Sequence, residues 1–311
     1  MKVIGITGGT GFVGRHLTAL LIRKGYEVVV FTTRVAKRRK KQHISYAHWN
    51  PETKACDLNA IKNVDAVVNL AGEGIADKRW SEKRKKAIRD SRVHSTEFLI
   101  AQVNEHARKC KVLVSASATG YYGPDNHYSN PFTESAPPCA DFLGETCREW
   151  EEASEGISDG IRRVVLRFGI ILGKEAGAFP QFANPQSYGV VPILGSGGQA
   201  VSWVEIHDLV RLISFTLEND KLSGIYNAVA PGHVSHRELM QTIAAVKGGI
   251  KIPVHVPSAM LKVLLGEMSV EVLKSCTVSA DKIVEAGFVF EHPDVKSAVS
   301  FILGKRQAAA K

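Results

Sequence analysis

The stretch Thr7-Gly8-Gly9-Thr10-Gly11-Phe12-Val13-Gly14 decides how this chain is read. It follows a β-branched run, Lys2 to Thr7, and opens a pattern with Leu17, Leu20 and Leu21 at helical spacing, stopped by Gly25. A strand, a glycine-rich turn and a helix in that order predict a loop that cradles a pyrophosphate. Gly8 permits the tight turn, Gly11 lets backbone N–H groups approach the phosphates, and Gly14 lets helix and strand pack closely. The helix N-terminus adds partial positive charge, with Thr10, Phe12 and Val13 completing the cradle.

Outward from this loop, strand and helix patterns alternate. Glu27 to Thr32, Ala66 to Leu70, Val112 to Ser115 and Arg163 to Phe168 read as strands, and a long polar helix is predicted from about Ser81 to Ala107. That alternation predicts an α/β fold: a Rossmann-type, doubly wound parallel sheet covered on both faces. Gly169 to Glu205 is rich in Gly and Pro and reads as loops with short strands. Helices are expected over His207 to Glu218, His236 to Val246, Ser258 to Ser275 and after Phe290, and strands over Gly224 to Ala230 and Ile252 to Val256. The expected organisation is a dinucleotide domain over 1–168, completed by elements from about 203–230. A smaller C-terminal α/β lobe occupies mainly 169–303, and 304–311 forms a frayed tail.

The chain has 311 residues, 44% hydrophobic and 23% charged, which suits a folded protein with a sizeable core and excludes wholesale disorder. No apolar run reaches the roughly 20 residues that span a bilayer, and the N-terminus lacks signal-peptide features. The five cysteines include no C-x-x-C pair, so they are expected to be reduced in a cytoplasmic setting. Histidine spacing gives no metal site. The net charge of +9 gathers in Arg34 to Lys41 and Lys78 to Arg92. These runs read either as solvated faces or as capture of a phosphorylated ligand; nucleic acid is disfavoured because no aromatic stacking platform accompanies them.

The end of the second strand bears on the choice of dinucleotide. NAD binders place an acid there for the ribose 2′-hydroxyl. Here the strand ends Phe31-Thr32-Thr33-Arg34, and Glu27 comes too early. Arg34, backed by Lys37, Arg38 and Arg39, offers a fork of donors to a 2′-phosphate, with a hydroxyl from Thr33. NADP(H) is therefore expected over NAD(H).

TGGTGFVG, Asn69-Leu70-Ala71-Gly72, Ser115 to Gly123 (SASATGYYG), Leu166-Arg167-Phe168-Gly169 and Trp203 to Leu209 together resemble an extended short-chain dehydrogenase/reductase. Glu73, Arg79-Trp80, Ser91-Arg92, Asp141-Phe142-Leu143 and Trp150-Glu151 resemble a poorly characterised, epimerase-like branch. That branch carries a C-terminal segment of unknown function, matched here by Val256 to Ala298. The resemblance implies an NADP ligand and a small-molecule substrate, with a nucleotide sugar as the class. It places Leu70, Ala71, Gly72 and Ser115 along the cofactor and Asp57-Leu58 at the adenine ring. For Asp57, a helix-capping role is an equal alternative.

The superfamily's chemistry uses a Ser with Tyr-x-x-x-Lys. Here the matching segment has Phe142 for Tyr and Thr146 for Lys, and no tyrosine elsewhere has a lysine four residues on. Phe cannot transfer a proton. Ser117 matches the catalytic serine, Tyr121 is a near phenol and Glu145 a possible base. Their plainer readings are a strand-end hydrogen bonder, a packing ring and a solvent-facing carboxylate. Glu73, Arg79 and Trp80 are candidate substrate contacts, with a cap or core role open for Trp80. The expected function is an NADP(H)-binding epimerase or oxidoreductase; the alternative is a non-catalytic NADP(H) sensor. Oligomeric state is left open.

Overall fold

The computed structural model describes residues 2–35, 42–125 and 130–305. Its first half builds β1 (Val3–Thr7), α1 (Phe12–Arg23), β2 (Glu27–Thr32), β3 (Ile44–Asn50), β4 (Ala55–Cys56), α2 (Leu58–Lys62), β5 (Ala66–Asn69), α3 (Glu82–His106), β6 (Val112–Ala118), α4 (Phe142–Ala153) and β7 (Arg162–Phe168). There follow β8 (Ile170–Leu172), α5 (Phe179–Ser187), β9 (Val190–Leu194), β10 (Ala200–Val201), β11 (Trp203–Glu205), α6 (Ile206–Glu218) and β12 (Gly224–Ala228). The chain closes with β13 (Val234–Ser235), α7 (His236–Lys247), β14 (Ile252–Val256), α8 (Ser258–Leu265), α9 (Ser269–Leu273), α10 (Asp281–Glu285) and α11 (Val295–Ile302).

The main sheet has the order β12-β7-β6-β5-β1-β2-β3-β4, parallel except for the β3–β4 edge. From β1 the chain winds one way through β2 and β3, then returns to the other side of β1 at β5. That reversal opens a crevice at the carboxyl ends of β1 and β5, where this fold binds its ligands. The strands carry near-continuous apolar runs because both faces are buried. Ile4, Ile6, Val28, Val30, Val114 and Leu166 face α1 and α6; Val29, Phe31, Val67 and Leu113 face α2 and α3.

The smaller lobe has its own core around Phe179, Ile193, Trp203, Leu239, Met240 and Ile243. Residues 203–206 join the two: Trp203 lies in the lobe core, while Val204 and Ile206 lie in the first sheet core. The C-terminal stretch also returns to the sheet, placing Cys276, Val278, Ile283, Phe288 and Phe290 in that core.

Two expectations are corrected. Gly169 to Glu205 holds a helix, α5, which tolerates Pro180 in its first turn and carries Pro185 within. The expected helix from Ser258 to Ser275 is broken at Gly266, whose φ of +61° disfavours any side chain. All five cysteines are free. Among the described residues no helix is long and apolar enough to cross a membrane.

Candidate active site

The glycine loop sits at the carboxyl end of β1. Gly8 has φ +67°, and a Cβ there would collide with the Leu70 carbonyl. A Cβ on Gly14 would stand 2.5 Å from the Gly8 carbonyl oxygen, which is how α1 comes so close to the strand. At Gly11, by contrast, a Cβ would meet only that same oxygen, at 3.1 Å, so its far side is open. Gly11 is also the N-cap of α1 and has no side chain to satisfy the first N–H groups of that helix. A turn that excludes side chains at Gly8 and Gly14, is open beyond Gly11 and presents the first N–H groups of α1 fits a dinucleotide diphosphate.

A cleft of about 1540 Å³ runs from this loop along the ends of β2 and β3 and the outer face of α3. Gly8, Thr10, Thr32, Thr33 and Arg34 line it from one side, Ala71, Gly72 and Glu73 from the switch point, and Trp49 and Phe98 from its floor. Among the described residues the Arg34 guanidinium has no ion pair; only its backbone N–H is used, donating to Thr32 Oγ1 at 3.3 Å. Glu52 and Lys54 lie on the β3–β4 side of the same cleft. Arg38, with Lys37 and Arg39, lies outside the described residues. Asp57 caps α2, its carboxylate accepting from Ala60 N at 3.1 Å, in line with the capping alternative, and Leu58 begins that helix.

Much of the second basic run is paired within the molecule, while Lys78, Arg79 and Lys83 stay exposed. Arg84 pairs with Glu73, Lys85 with Glu82 and Glu267, Lys86 with Asp90, and Arg89 with Glu149. Arg92 stacks on Trp150 and donates to the Glu73 carbonyl at 2.9 Å, fixing the turn after β5. Burial lowers its pKa from the ordinary guanidinium value.

At the end of β6 the structure builds a buried polar network. Ser117, 1% exposed, donates to Glu151 Oε1 at 2.6 Å. Arg167 lies opposite Ser117 in the β6–β7 register and holds both Glu151 oxygens at 2.8 Å. It also donates to Tyr122 Oη at 2.8 Å, and Tyr122 donates to Asn227 Oδ1 at 2.7 Å. Burial works against the Arg167 charge, and the Glu151 hydrogen bonds outweigh it, so its pKa lies above the ordinary range. Burial pushes the Tyr122 phenol up to about 12. Tyr121 is half-buried with its ring 3.5 Å from the Arg167 guanidinium, and burial raises its pKa too. Ser115 accepts from Asn69 Nδ2 at 3.3 Å, and Asn69 in turn accepts from Thr7 Oγ1, which ties β1, β5 and β6 at the switch point.

The remaining candidates are dispersed. Glu145 is half-exposed and paired with Arg148 on its own helix. Phe142 meets the Trp80 ring edge-on at 5.0 Å, Trp80 Nε1 donates to the Ile75 carbonyl, and Thr146 Oγ1 donates to the Phe142 carbonyl at 2.6 Å. Arg79 is exposed beside Gly266. Residues the sequence reading left without a role are Glu151 and Arg167, and a buried Lys274–Glu271 pair at 2.8 Å. Trp150-Glu151 stood out as a motif, yet its partners are set by strand register and were not readable.

Fold and site together define a nucleotide-binding α/β protein with its crevice at a Rossmann switch point. The chain belongs to the NAD dependent epimerase/dehydratase family, whose model matches residues 4–228, and a domain of unknown function, DUF1731, matches 256–302. It is 36% identical over 307 residues to the epimerase family protein YfhF of Bacillus subtilis (strain 168), covering 98% of this chain and 99% of that one. Its structure is similar to human epimerase family protein SDR39U1 (isoform 2), solved with NADPH. That match has a TM-score of 0.85 and 27% identity, over 97% of this chain and 99% of the other. A nucleoside-diphosphate sugar epimerase from Corynebacterium glutamicum matches with a TM-score of 0.78 and 31% identity, over 99% of this chain and 59% of that one.

Proposed function

We propose that this protein binds NADP(H) across the β1/β5 switch point and acts as an epimerase or oxidoreductase on a small hydroxylated substrate. The observation that carries the cofactor choice is the Arg34 guanidinium, which makes no ion pair among the described residues, in the cleft that begins at the glycine loop, with no acid at the end of β2. The similar human protein was solved with NADPH, which supports the same choice. The epimerase named for nucleoside-diphosphate sugars supports a nucleotide sugar as the substrate class.

The residues that would hold the dinucleotide are Gly8, Thr10, Gly11, Phe12, Val13 and Gly14 at the diphosphate. Thr33, Arg34 and Arg38 would lie at the 2′-phosphate, Asp57 and Leu58 at the adenine, and Leu70, Ala71, Gly72 and Ser115 toward the nicotinamide. When bound, it supplies a hydride acceptor and donor. Ser117 is the serine we assign to the reacting oxygen; its proton is committed to Glu151 and the residue is 1% exposed, so the substrate would have to press against the end of β6 for a remaining lone pair to accept its hydroxyl. Tyr121 is the phenol we assign to proton transfer, with the Arg167 guanidinium against its ring; Glu145 is the reserve base and Glu73, Arg79 and Trp80 the substrate contacts. The second reading, a non-catalytic NADP(H) sensor, is favoured by one observation: where Tyr and Lys are expected on α4, Phe142 is packed on Trp80 and Thr146 is bonded within its helix.

Titration of the purified protein with NADPH and NADH tests the cofactor reading. NADPH should bind more tightly, and Arg34→Ala should weaken it about 10- to 100-fold, the worth of a charge-assisted hydrogen bond, with little change for NADH. Equal affinities, or tighter NADH, refute the choice. Turnover on a carbonyl and nucleotide-sugar panel separates enzyme from sensor, and a Ser117→Ala/Tyr121→Phe variant with unchanged turnover removes the catalytic assignment.

A further inference from the structure

The C-terminal segment that matches a domain of unknown function reaches the end of β6 and the start of α4. Residues 272–278 are tied down along β10 and the loop after β6. Gln199 Nε2 donates to the Val272 carbonyl at 3.2 Å, Ala200 N donates to Ser275 Oγ at 3.0 Å, and Asp125 N donates to the Ser275 carbonyl at 2.9 Å. Cys276 and Thr277 are buried. This anchoring places Lys274 under the turn that follows Ser117. Its Nζ is 2.8 Å from Glu271 Oε1 and 3.4 Å from the Tyr122 carbonyl oxygen, and its side chain is 8% exposed. Asp141, the cap of α4 immediately before Phe142, is the next carboxylate acting on it. The same segment closes on α3: Glu267 pairs with Lys85 at 2.9 Å, and Gly266 lies against the Arg79 side chain just before that helix.

A lysine and a glutamate are costly to bury and pack no better than apolar residues would. Here they stand within reach of the charge on Asp141, the cap of the helix that offers Phe142 and Thr146 in place of an ionisable pair. We propose that Lys274 and Glu271 are residues of the reaction pocket, facing the nicotinamide end of the cofactor, so that the C-terminal domain completes the site which the Rossmann half leaves without an ammonium. This rests on the cofactor reading above.

The oxidised nicotinamide carries a positive charge that the reduced ring lacks, so the affinity ratio of NADP⁺ to NADPH senses a fixed charge near the ring without any substrate. Lys274→Met leaves a net negative charge and should shift the ratio about fivefold toward NADP⁺. Glu271→Gln leaves a net positive charge and should shift it about fivefold toward NADPH, and the double variant should restore the parent ratio. A purely structural role would not move the ratio in opposite directions. Ratios unchanged in both single variants, while the parent binds NADPH, overturn the proposal and leave the cofactor reading intact. A parent that binds neither form overturns both. If Lys274→Met does not fold, the near-isosteric Glu271→Gln carries the test with its own sign.

Discussion

Replacing Glu151 by Gln perturbs the molecule at its most committed polar contact. Glu151 accepts from Ser117 and from two nitrogens of Arg167, which is 1% exposed and can find no water in place of the lost charge. Removing one member of such a buried pair costs about 3–5 kcal/mol, because the partner is left charged and uncompensated. At about 2.1 cal/mol/K of unfolding entropy per residue, a chain of 311 residues should then lose about 5–8 °C in its melting midpoint. Arg167→Met alone should cost a similar amount by stranding Glu151. The double variant Glu151→Met/Arg167→Met should recover most of the loss, since apolar residues of similar volume replace buried pairs without penalty. Denaturant unfolding of the parent, Glu151→Met, Arg167→Met and the double variant closes the cycle, with Glu151→Gln measured beside them. A loss below about 1 kcal/mol in Glu151→Gln, or a double variant as unstable as the two single losses summed, refutes the reasoning that this network is a mutually dependent buried pair.

Two further outcomes follow from the packing and the titrating groups. Gly14→Ala places a Cβ 2.5 Å from the Gly8 carbonyl oxygen and from Gly9 Cα, so the loop must open. NADPH binding should fall below detection, and stability should drop by about 1–3 kcal/mol; retained binding in the same titration would contradict the role given to that glycine. Burial pushes the Glu205 carboxyl up to about 7 against its bonds from His207 and Asp208 N–H, and burial lowers His236 to about 4. Stability from Glu205 is full below pH 4.5 and lost as pH rises through about 7, whereas that from His236 is full above pH 6.5 and lost as pH falls toward 4. The two nearly cancel, each worth ~3 kcal/mol. Glu205→Gln should therefore make urea stability between pH 4.5 and 6.5 rise with pH more steeply than the parent's, by about 1.4 kcal/mol per pH unit; a variant profile parallel to the parent's contradicts this.

Much of the sheet was legible because its strands are buried on both faces and so read as apolar runs bounded by turns. Val3–Thr7, Glu27–Thr32 and Ala66–Asn69 are of this kind. Strand β3, ISYAHWN, was not, since its polar residues interrupt the run and its partner β2 supplies the missing order through parallel pairing. Helix α5 hid behind two prolines, which the lobe core around Phe179 and Ala183 overrides. In the site, Glu145 and Glu151 are both carboxylates of one helix. Only their facing distinguishes them: the former meets Arg148 at the surface, the latter meets Ser117 and Arg167 inside.

The sequence by itself determined the glycine loop, the strand–helix alternation and the absence of an acid after β2, because each is a local matter of backbone freedom, periodicity or residue type. Only the tertiary structure decided which groups meet at the end of β6. Ser117, Glu151, Arg167 and Lys274 are up to 157 positions apart in the chain. Strand register sets Ser117 opposite Arg167, helix packing brings in Glu151, and the returning C-terminal segment delivers Lys274, so their hydrogen bonds and charges exist only once distant surfaces have been buried together.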